Sequence, residues 1–316
     1  MSNKKLKLFN NLIKTKKCPI CQKKEFIDLG KINIGHSDLR NLLHLLECKY
    51  CEHWFYSKMP TEKYLNHLYT SHSPYIFGHI HSQYEIEIIK NIKKNGLKSV
   101  KTDENHWIFK FMKNSKIGNY LEIGPGQCSL FKTFSNYGWK CEGYELQPWI
   151  KGHGIVHNPS KLKKSKKDVL VMHDVLEHVI DPISFLKKFS KYQKESGKVF
   201  LAYPNSSSYK AKILKTSWPM VEPLGHLNFF SKKSTMIMLT KCGYKPLVIK
   251  TDSFVEIKRL LRSIIRLPIT LILDLVKMNF VTALNRFPEI FINILDLING
   301  DQLQVIGVKT KKIFKN

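Results

Sequence analysis

The chain has 316 residues, a length typical of about two domains, and 43% of its residues are hydrophobic. That composition supports a sizeable buried core and excludes a mostly disordered, collagen-like or small disulfide-stapled protein. The formal net charge is +27, from 52 lysines and arginines against 25 acidic residues. Only five of these basic residues are arginine, the side chain that most often reads bases, so the charge by itself does not indicate nucleic-acid binding.

The amino terminus, MSNKKLKLFNNLIKTKKC, lacks the unbroken apolar segment and the cleavage site of a secretory signal. The most apolar stretch, residues 264–280, is interrupted by Arg266, Asp274 and Lys277, so no membrane-spanning helix is predicted. We therefore expect a cytoplasmic protein. In that reducing compartment its seven cysteines are expected to be thiols or metal ligands rather than disulfides.

Four cysteines form two C-x2-C pairs, Cys18 with Cys21 and Cys48 with Cys51, separated by 26 residues. Each pair can present two thiolates from one tight turn, and two such turns can surround Zn²⁺ tetrahedrally. Four sulfurs leave no open position, so this metal is predicted to be structural; a pair of redox dithiols is the alternative, and His53 is a substitute ligand. The remaining cysteines are scattered and are predicted to be small buried side chains: Cys128, Cys141 and Cys242.

The elements predicted before residue 116 are helical, over residues 82–94 and 107–112. From residue 116 onward, strands alternate with helices, which predicts an α/β protein with a mostly parallel, doubly wound sheet. Its strands are predicted at residues 119–123, 140–145, 168–172, 198–203, 246–249 and 302–308. Its helices are predicted after Gly126 as far as Gly138, after the Asp181-Pro182 cap, and from the Ser231 cap to Gly243.

The first of these strands leads into a glycine-rich turn that contains Gly124 and Gly126. Glycines there let the backbone approach a ligand, and sheets of this kind bind ligands at the carboxyl ends of their strands. Glu145 ends the next strand, 19 residues after Gly126, where a carboxylate can accept hydrogen bonds from ribose hydroxyls. The third glycine of a dinucleotide fingerprint and the lysine of a P-loop are both missing, and Glu122 suits a cationic ligand better than a pyrophosphate. These residues predict a nucleoside-containing cofactor.

Together, the motifs resemble those of the class I S-adenosylmethionine-dependent methyltransferases, over residues 116–247 and the closing strand. YLEIGPGQCSL resembles the glycine-rich motif of that family and GYEL its ribose-binding acid, while DVLVMHDVLEHVIDP resembles the segment after the fourth strand. The LEHVxDP string is typical of a subgroup, many of whose members carry an amino-terminal four-cysteine zinc module. The resemblance implies a Rossmann-like fold with S-adenosylmethionine as cofactor. It also implies the following contacts: Glu122, Gly124 and Gly126 around the methionine part, Glu145 on the ribose, and His173 and Asp174 near the amino-acid end.

Two histidines are candidates for the catalytic base. His178 follows the fourth strand, and His226 lies between the fifth strand and the next helix, so both are expected near the carboxyl ends of the strands. The unperturbed pKa of histidine, about 6.5, suits proton transfer near neutral pH. The segment GHLNFF around His226 resembles one that sugar C-methyltransferases with a zinc module use near the acceptor. The alternative for each histidine is a structural role, with Glu177 and His178 orienting a loop.

The segment 254–299 is an insertion before the last strand and holds four of the five arginines. Lys258, Arg259, Arg262 and Arg266 recur at helical spacing, with apolar residues on other faces. The segment is predicted to be a helical lid or dimer contact, or else an amphipathic element at the inner membrane surface. The predicted parts of the chain are therefore a zinc-binding module (1–75), a methyltransferase core (76–253), a helical insertion (254–299) and the closing strand (300–316).

The function predicted from these features is methyl transfer from S-adenosylmethionine to a small-molecule or glycan acceptor, such as a nucleotide sugar or a surface polysaccharide. Two alternatives remain: an RNA methyltransferase, and a non-catalytic scaffold in which a zinc module is joined to a degenerate Rossmann domain. RNA recognition favours arginine interleaved with aromatic residues, which the sequence outside the insertion lacks. A degenerate domain would be expected to have lost Glu145 or the two glycines, and all three are present.

Overall fold

A computed structural model of the protein describes residues 11–32, 43–70, 90–146, 152–253 and 293–311. Within these residues the strands are β1 (Leu12–Lys14), β2 (Phe26–Lys31), β3 (His44–Cys48), β4 (Trp54–Tyr56), β5 (Lys58–Pro60), β6 (Asn119–Ile123), β7 (Lys140–Tyr144), β8 (Ile155–Val156), β9 (Lys167–His173), β10 (Gln193–Pro204), β11 (Asn228–Phe229), β12 (Tyr244–Asp252) and β13 (Gln302–Lys309). The α-helices are α1 (Glu62–Thr70), α2 (Trp107–Met112), α3 (Ser129–Asn136), α4 (Pro182–Ser190), α5 (Tyr209–Leu214) and α6 (Lys232–Lys241). Residues 90–95 and 293–298 are also helical.

Seven strands form the main sheet, in the order β12-β13-β10-β9-β6-β7-β8. The strands from β6 to β10 are mutually parallel, and β13 is antiparallel to both of its neighbours. This confirms the predicted α/β class and the mostly parallel, doubly wound sheet. The chain runs outward from β6 through β7 to β8 and then returns to β9 on the other side of β6. Such a reversal of strand order marks the crevice where these sheets bind ligands.

The sheet forms where the sequence is most continuously apolar, and its helices begin at capping residues. Residues 169–172 in β9 and 199–203 in β10 are fully buried, as expected for parallel strands covered on both faces. Asp181 caps α4 by accepting a hydrogen bond from the Ser184 amide at 3.0 Å, and Ser231 begins α6 with a capping box. Strand β10 begins at Gln193, earlier than predicted, because its added residues join a bulged pairing with β9 that an apolar pattern does not reveal.

A second, four-stranded sheet has the order β11-β4-β3-β2 and was not predicted as strands. The aromatic stretch after Cys51, interpreted from the sequence as an edge and a connection, forms β4, β5 and α1. Strand β11 comes from the later half of the chain and pairs with β4 in antiparallel register. One apolar core spans both sheets, and the Trp54 and Trp218 rings meet edge to face within it at 6.1 Å. The cysteine-bearing segment is therefore packed into the same core as the main sheet.

Several predicted features lie outside the described residues. The predicted helix over 82–94 is described only from residue 90, and the predicted boundary between residues 75 and 76 falls in the gap 71–89. The arginine-bearing part of the insertion lies in the gap 254–292, so the lid and the membrane element remain predictions. In the ranges that the structure describes, no helix is long and apolar enough to cross a membrane.

Candidate active site

The glycine-rich turn follows β6 at the reversal point of the sheet. Gly124 and Gly126 have positive φ angles of +67° and +49°, a backbone conformation that side chains disfavour. A Cβ atom added at Gly124 would lie 2.8 Å from Cγ2 of Val175, so a larger residue cannot fit without a shift. The Gly124 amide donates to the Tyr144 carbonyl at 2.8 Å, which fixes the turn against the end of β7.

Glu145 lies directly beyond β7 and beside this turn. Its Oε2 atom accepts a hydrogen bond from the Gly126 amide at 3.3 Å, and its carbonyl is bonded to Nδ1 of His157 at 2.8 Å. The side chain is buried, with 8% of its surface exposed. The structure thus brings together the two features, turn and acid, that the sequence predicted for one cofactor site.

Glu122 lies one residue before the end of β6 and is 5% exposed. Burial raises the pKa of its carboxyl to about 7, and the hydrogen bond from the Tyr120 hydroxyl to Oε2, 2.8 Å long, opposes part of that rise. A carboxyl group with such a pKa ionises readily when a cation approaches. Tyr120 was not predicted as part of the site, although its alternation with Glu122 along one face of a strand was visible in the sequence.

His173 and Asp174 follow one another at the end of β9, across the reversal point from the glycine turn. Nδ1 of His173 and Oδ2 of Asp174 are 3.0 Å apart. Burial alone would lower the pKa of His173, but the hydrogen bond and charge of Asp174 outweigh it and raise that pKa. Gln302 donates to Oδ1 of Asp174 at 3.3 Å and had no sequence signal, because it comes from the start of the antiparallel strand β13.

His106 is a further side chain here that the sequence did not single out. Its ring centroid is 5.1 Å from that of His173, and its Nδ1 accepts a hydrogen bond from the Ile108 amide at 3.3 Å, capping α2. Burial, together with the charge of His173, lowers the pKa of His106 to about 4. Of these two histidines, His173 is therefore the one that is protonated more readily, and its positive charge lies beside Asp174.

The two candidate bases are in contact. The ring centroids of His178 and His226 are 4.9 Å apart. One ring nitrogen from each histidine and one carboxyl oxygen of Glu177 all lie within 4.8 Å of one another. We call Glu177, His178 and His226 the histidine cluster. The loop before β11 brings His226 to this place, since the Leu227 amide donates to the Glu177 carbonyl at 2.6 Å. The alternatives that the sequence offered are thus two parts of one site.

Burial controls the protonation of two members of the histidine cluster, Glu177 and His178. It lowers the pKa of His178 to about 4, helped by the neighbouring His226, and it raises the pKa of Glu177 well above the usual range. Asp174 connects this cluster with the end of β9, because its charge acts on Glu177 and on both histidines. The charge of Asp174 therefore acts on groups at the end of β9 and on the histidine cluster alike.

The four paired cysteines also come together, and we call Cys18, Cys21, Cys48 and Cys51 the cysteine cluster. Their sulfur atoms all lie within 4.8 Å of one another. The Sγ atoms of Cys18 and Cys51 are 3.4 Å apart, and those of Cys21 and Cys48 are 3.3 Å apart. A hydrogen bond from the Cys51 thiol lowers the pKa of Cys18 to about 4, which favours a thiolate there. Four thiol donors at this spacing fit the roughly 3.8 Å sulfur separation of a tetrahedral zinc site with 2.3 Å bonds.

Two turns of the same geometry build the cysteine cluster. In the first, the Cys18 amide donates to the Lys23 carbonyl and the Gln22 amide donates to the Cys18 carbonyl, at 2.9 and 3.0 Å. Cys48, Glu52 and His53 repeat both bonds in the second turn, at 2.9 Å each. The His53 ring is not a member of the cluster, because its Nε2 bonds Oδ1 of Asn228 at 3.0 Å. Outside the cluster Cys128 and Cys242 are buried and Cys141 is partly buried.

A family model described as a methyltransferase domain matches residues 81–248, more than half of the chain. The chain therefore belongs to this methyltransferase family. The match confirms the enzyme class expected from the sequence, an S-adenosylmethionine-dependent methyltransferase. A comparison with curated proteins gives no match.

Solved structures of low sequence identity resemble the chain. One is a SAM-dependent methyltransferase from Archaeoglobus fulgidus, with 14% identity, a TM-score of 0.43 and coverage of 73% of this chain and 100% of that one. Another is a SAM-dependent methyltransferase from Thermotoga maritima, with 16% identity, a TM-score of 0.42 and coverage of 75% and 100%. A third is phosphoethanolamine N-methyltransferase 2 from Haemonchus contortus in complex with S-adenosyl-L-methionine, with 13% identity, a TM-score of 0.38 and coverage of 82% and 63%.

Proposed function

We propose that this methyltransferase transfers a methyl group to a small-molecule or glycan acceptor, such as a nucleotide sugar or a surface polysaccharide, bound beside the histidine cluster. The observation that carries the proposal is the contact between His178 and His226, whose ring centroids are 4.9 Å apart and whose charges interact with that of Asp174 at the end of β9. The resemblance of the segment around His226 to the acceptor region of sugar methyltransferases supports a glycan-type acceptor.

In this proposal the residues at the reversal point between β6 and β9 would hold the cofactor. Glu145 accepts hydrogen bonds from the ribose hydroxyls, and the glycine turn lets the backbone pass close to the ligand. Glu122, His173 and Asp174 surround the methionine end, whose ammonium and sulfonium charges attract carboxylates. The histidine cluster would then bind the acceptor, because Glu177 and His178 follow Asp174 closely in the chain.

The chemical step is an in-line displacement. An acceptor atom bonds to the methyl carbon while the carbon–sulfur bond breaks, and the sulfur keeps the electron pair, which leaves S-adenosylhomocysteine. The chain's own contribution is to align the two atoms and exclude water. Where the acceptor must lose a proton, His226 or His178 lies at the place where that proton leaves. A backbone carbonyl bonded to each Nδ1, Gly225 for His178 and Met220 for His226, orients the rings.

The cysteine cluster, in the same proposal, holds one structural Zn²⁺. The support is the donor set itself: four thiols on two matched turns, three of them fully buried. With four sulfur ligands the ion has no open position, so its contribution is to hold the two turns together. These turns position β4, whose partner β11 begins two residues after His226.

The acceptor class is tested by incubating purified protein and S-adenosylmethionine with a panel of nucleotide sugars and oligosaccharides, with RNA as a separate arm. We expect methyl transfer to a sugar and none to RNA. Methylation of RNA alone would contradict the proposed acceptor class and leave the enzyme class intact.

The histidine cluster is tested with His226→Asn. We expect turnover to fall by roughly 10²–10⁴-fold with the affinity for S-adenosylmethionine unchanged, because the side chain acts at the acceptor. Single-turnover rates at saturating cofactor measure the first quantity and calorimetry the second. His44→Asn is the matched control, since that histidine also pairs with a carboxylate, Asp28, but lies in β3 of the small sheet and outside the histidine cluster. An unchanged rate in His226→Asn would remove this residue from the reaction.

A further inference from the structure

The histidine cluster brings two nitrogen donors and one oxygen donor within 4.8 Å of one another. Nε2 of His178, for example, is 3.9 Å from Oε1 of Glu177. Two imidazoles and one carboxylate are a donor set that binds divalent transition metals and leaves coordination positions open. The cysteine cluster differs in this respect, because its four sulfurs complete a tetrahedron.

Both imidazoles are already oriented as metal-binding histidines usually are. Nδ1 of His178 is 2.8 Å from the Gly225 carbonyl, and Nδ1 of His226 is 2.8 Å from the Met220 carbonyl. A carbonyl at Nδ1 keeps the proton on that nitrogen, so that the lone pair of the neutral ring is on Nε2. The two carbonyls come from one short loop, which therefore sets the direction of both rings.

Glu177 supplies an independent observation that points to a ligand. Its side chain is 1% exposed, and within the described part of the chain its Oε2 atom has no hydrogen-bond partner. Among the residues that the structure describes, Glu177 forms no ion pair with a lysine or an arginine. The negative charge of Asp174 also acts on it. A buried carboxyl oxygen without a hydrogen-bond partner is costly, and coordination of a cation by the ionised group would satisfy it.

We propose that Glu177, His178 and His226 bind one divalent transition-metal cation at the acceptor end of the site. Three protein ligands leave positions for an oxygen atom of the acceptor, whose hydroxyl proton the cation would make easier to remove. The acceptor class is then a hydroxyl compound: its proton passes to water, and its oxygen takes the methyl carbon as the carbon–sulfur bond breaks. The acceptor class rests on the proposed methyl transfer, whereas the cation site does not.

A cation and a proton cannot occupy the same imidazole nitrogen. If the cation binds, His226 acts as a ligand and not as the base, and removal of metal must abolish the reaction. If His226 is the base, chelation leaves the reaction unchanged. Metal dependence therefore separates two roles that the His226→Asn rate alone does not distinguish.

The test is a titration with Co²⁺ of the full-length protein, which is first dialysed against EDTA and then supplied with one equivalent of Zn²⁺ to fill the cysteine cluster. Cobalt bound by nitrogen and oxygen gives weak visible bands, whereas cobalt bound by thiolates adds strong charge-transfer absorption, so the two clusters are observed separately. We expect one Co²⁺ per chain with the weak bands alone. His226→Asn and Glu177→Gln should each weaken this binding by at least about 100-fold, since each removes a ligand. His44→Asn should leave it unchanged.

Binding of S-adenosylmethionine, measured by calorimetry, shows that each variant is folded. The number of Co²⁺ ions bound per wild-type chain tests the site without any variant. Absence of the weak-band cobalt, or equal cobalt affinity in the wild type and both variants, would overturn the cation site. Methyl transfer that persists after chelation with no such cobalt bound would overturn the inference and leave the proposed function standing. Cobalt binding without methyl transfer to any acceptor would support the cation site and overturn the proposed function.

Discussion

The cysteine cluster and the histidine cluster both gather side chains that can bind a metal ion, but they are built differently. The first takes four sulfurs from two turns with matching backbone hydrogen bonds, and three of those sulfurs are fully buried. The second takes three donors from two loops that are distant in sequence, and the His178 side chain is 28% exposed. A closed donor set inside the core should govern folding, whereas an open one at the edge of the sheet should govern the reaction.

The surroundings of the two clusters agree with that division. The Ser231 hydroxyl donates to the Cys51 carbonyl at 2.7 Å, and Lys241 donates to the Ile20 carbonyl at 2.8 Å, so helix α6 is tied to both cysteine turns. The histidine cluster instead interacts electrostatically with Asp174, at the end of β9. Damage to the first should spread through the shared core, while damage to the second should stay local.

The largest expected effect belongs to the cysteine cluster. Cys48→Ser removes one ligand of the proposed zinc, whose binding in zinc-finger peptides supplies about 10–16 kcal/mol, as much as the whole stability of an ordinary domain. We expect loss of zinc, measured by elemental analysis, together with loss of the cooperative thermal transition. Cys141→Ser, which changes a thiol outside the cluster, is the control. If Cys48→Ser lost its zinc but kept its transition temperature, the cluster would not govern folding.

An intermediate effect is expected at Glu145. Glu145→Ala removes two hydrogen bonds to the ribose, so affinity for S-adenosylmethionine should fall by roughly 10–100-fold while the thermal transition of the apo protein shifts little. Calorimetry measures the first quantity and a melting curve the second. Glu195→Ala, at an exposed glutamate 3.7 Å from Lys311, is the control. Equal affinities for Glu145→Ala and the wild type would remove Glu145 from the cofactor site.

Much of the main sheet was predictable because its signals are local. The sequence places β6 and α2 at the residues where the structure has them, and the Asp181 and Ser231 caps mark two helix starts correctly. The small sheet was missed because its strands are short and one of them, β11, is defined only by pairing with a strand far away in the chain. A two-residue strand leaves no periodicity to detect.

The same limit applies to the candidate site. Each residue of the glycine turn and its acid was identifiable from spacing, because the chain supplies them in order along adjacent strands. The contacts of Gln302 with Asp174 and of His106 with His173 depend on which way side chains from separate elements point. The meeting of His178 and His226 depends on a loop conformation, and the sequence could only name them as alternatives.

The smallest expected effect is a pH dependence of the free energy of unfolding that arises from Glu122, at the predicted cofactor site. Burial raises the pKa of this carboxyl from 4.5 to about 7, so the folded apo protein holds a proton between these values that the unfolded chain has released. The free energy of unfolding should therefore fall as pH rises through that window. Glu122→Gln has no such group and should be less sensitive to pH there.

Binding of S-adenosylmethionine should show the opposite trend. Its positive charges favour the ionised carboxylate, so the proton is released on binding and affinity should rise with pH up to about 7, by at most about tenfold per pH unit. Calorimetry between pH 5.5 and 8, in buffers of different ionisation enthalpy, measures both the affinity and the released proton. Glu122→Gln should bind more weakly and release fewer protons. If the affinity of wild type and variant depended on pH with the same slope, the released proton would come from another group. Glu122 would then act in folding, as the cysteine cluster is expected to, and not in cofactor binding.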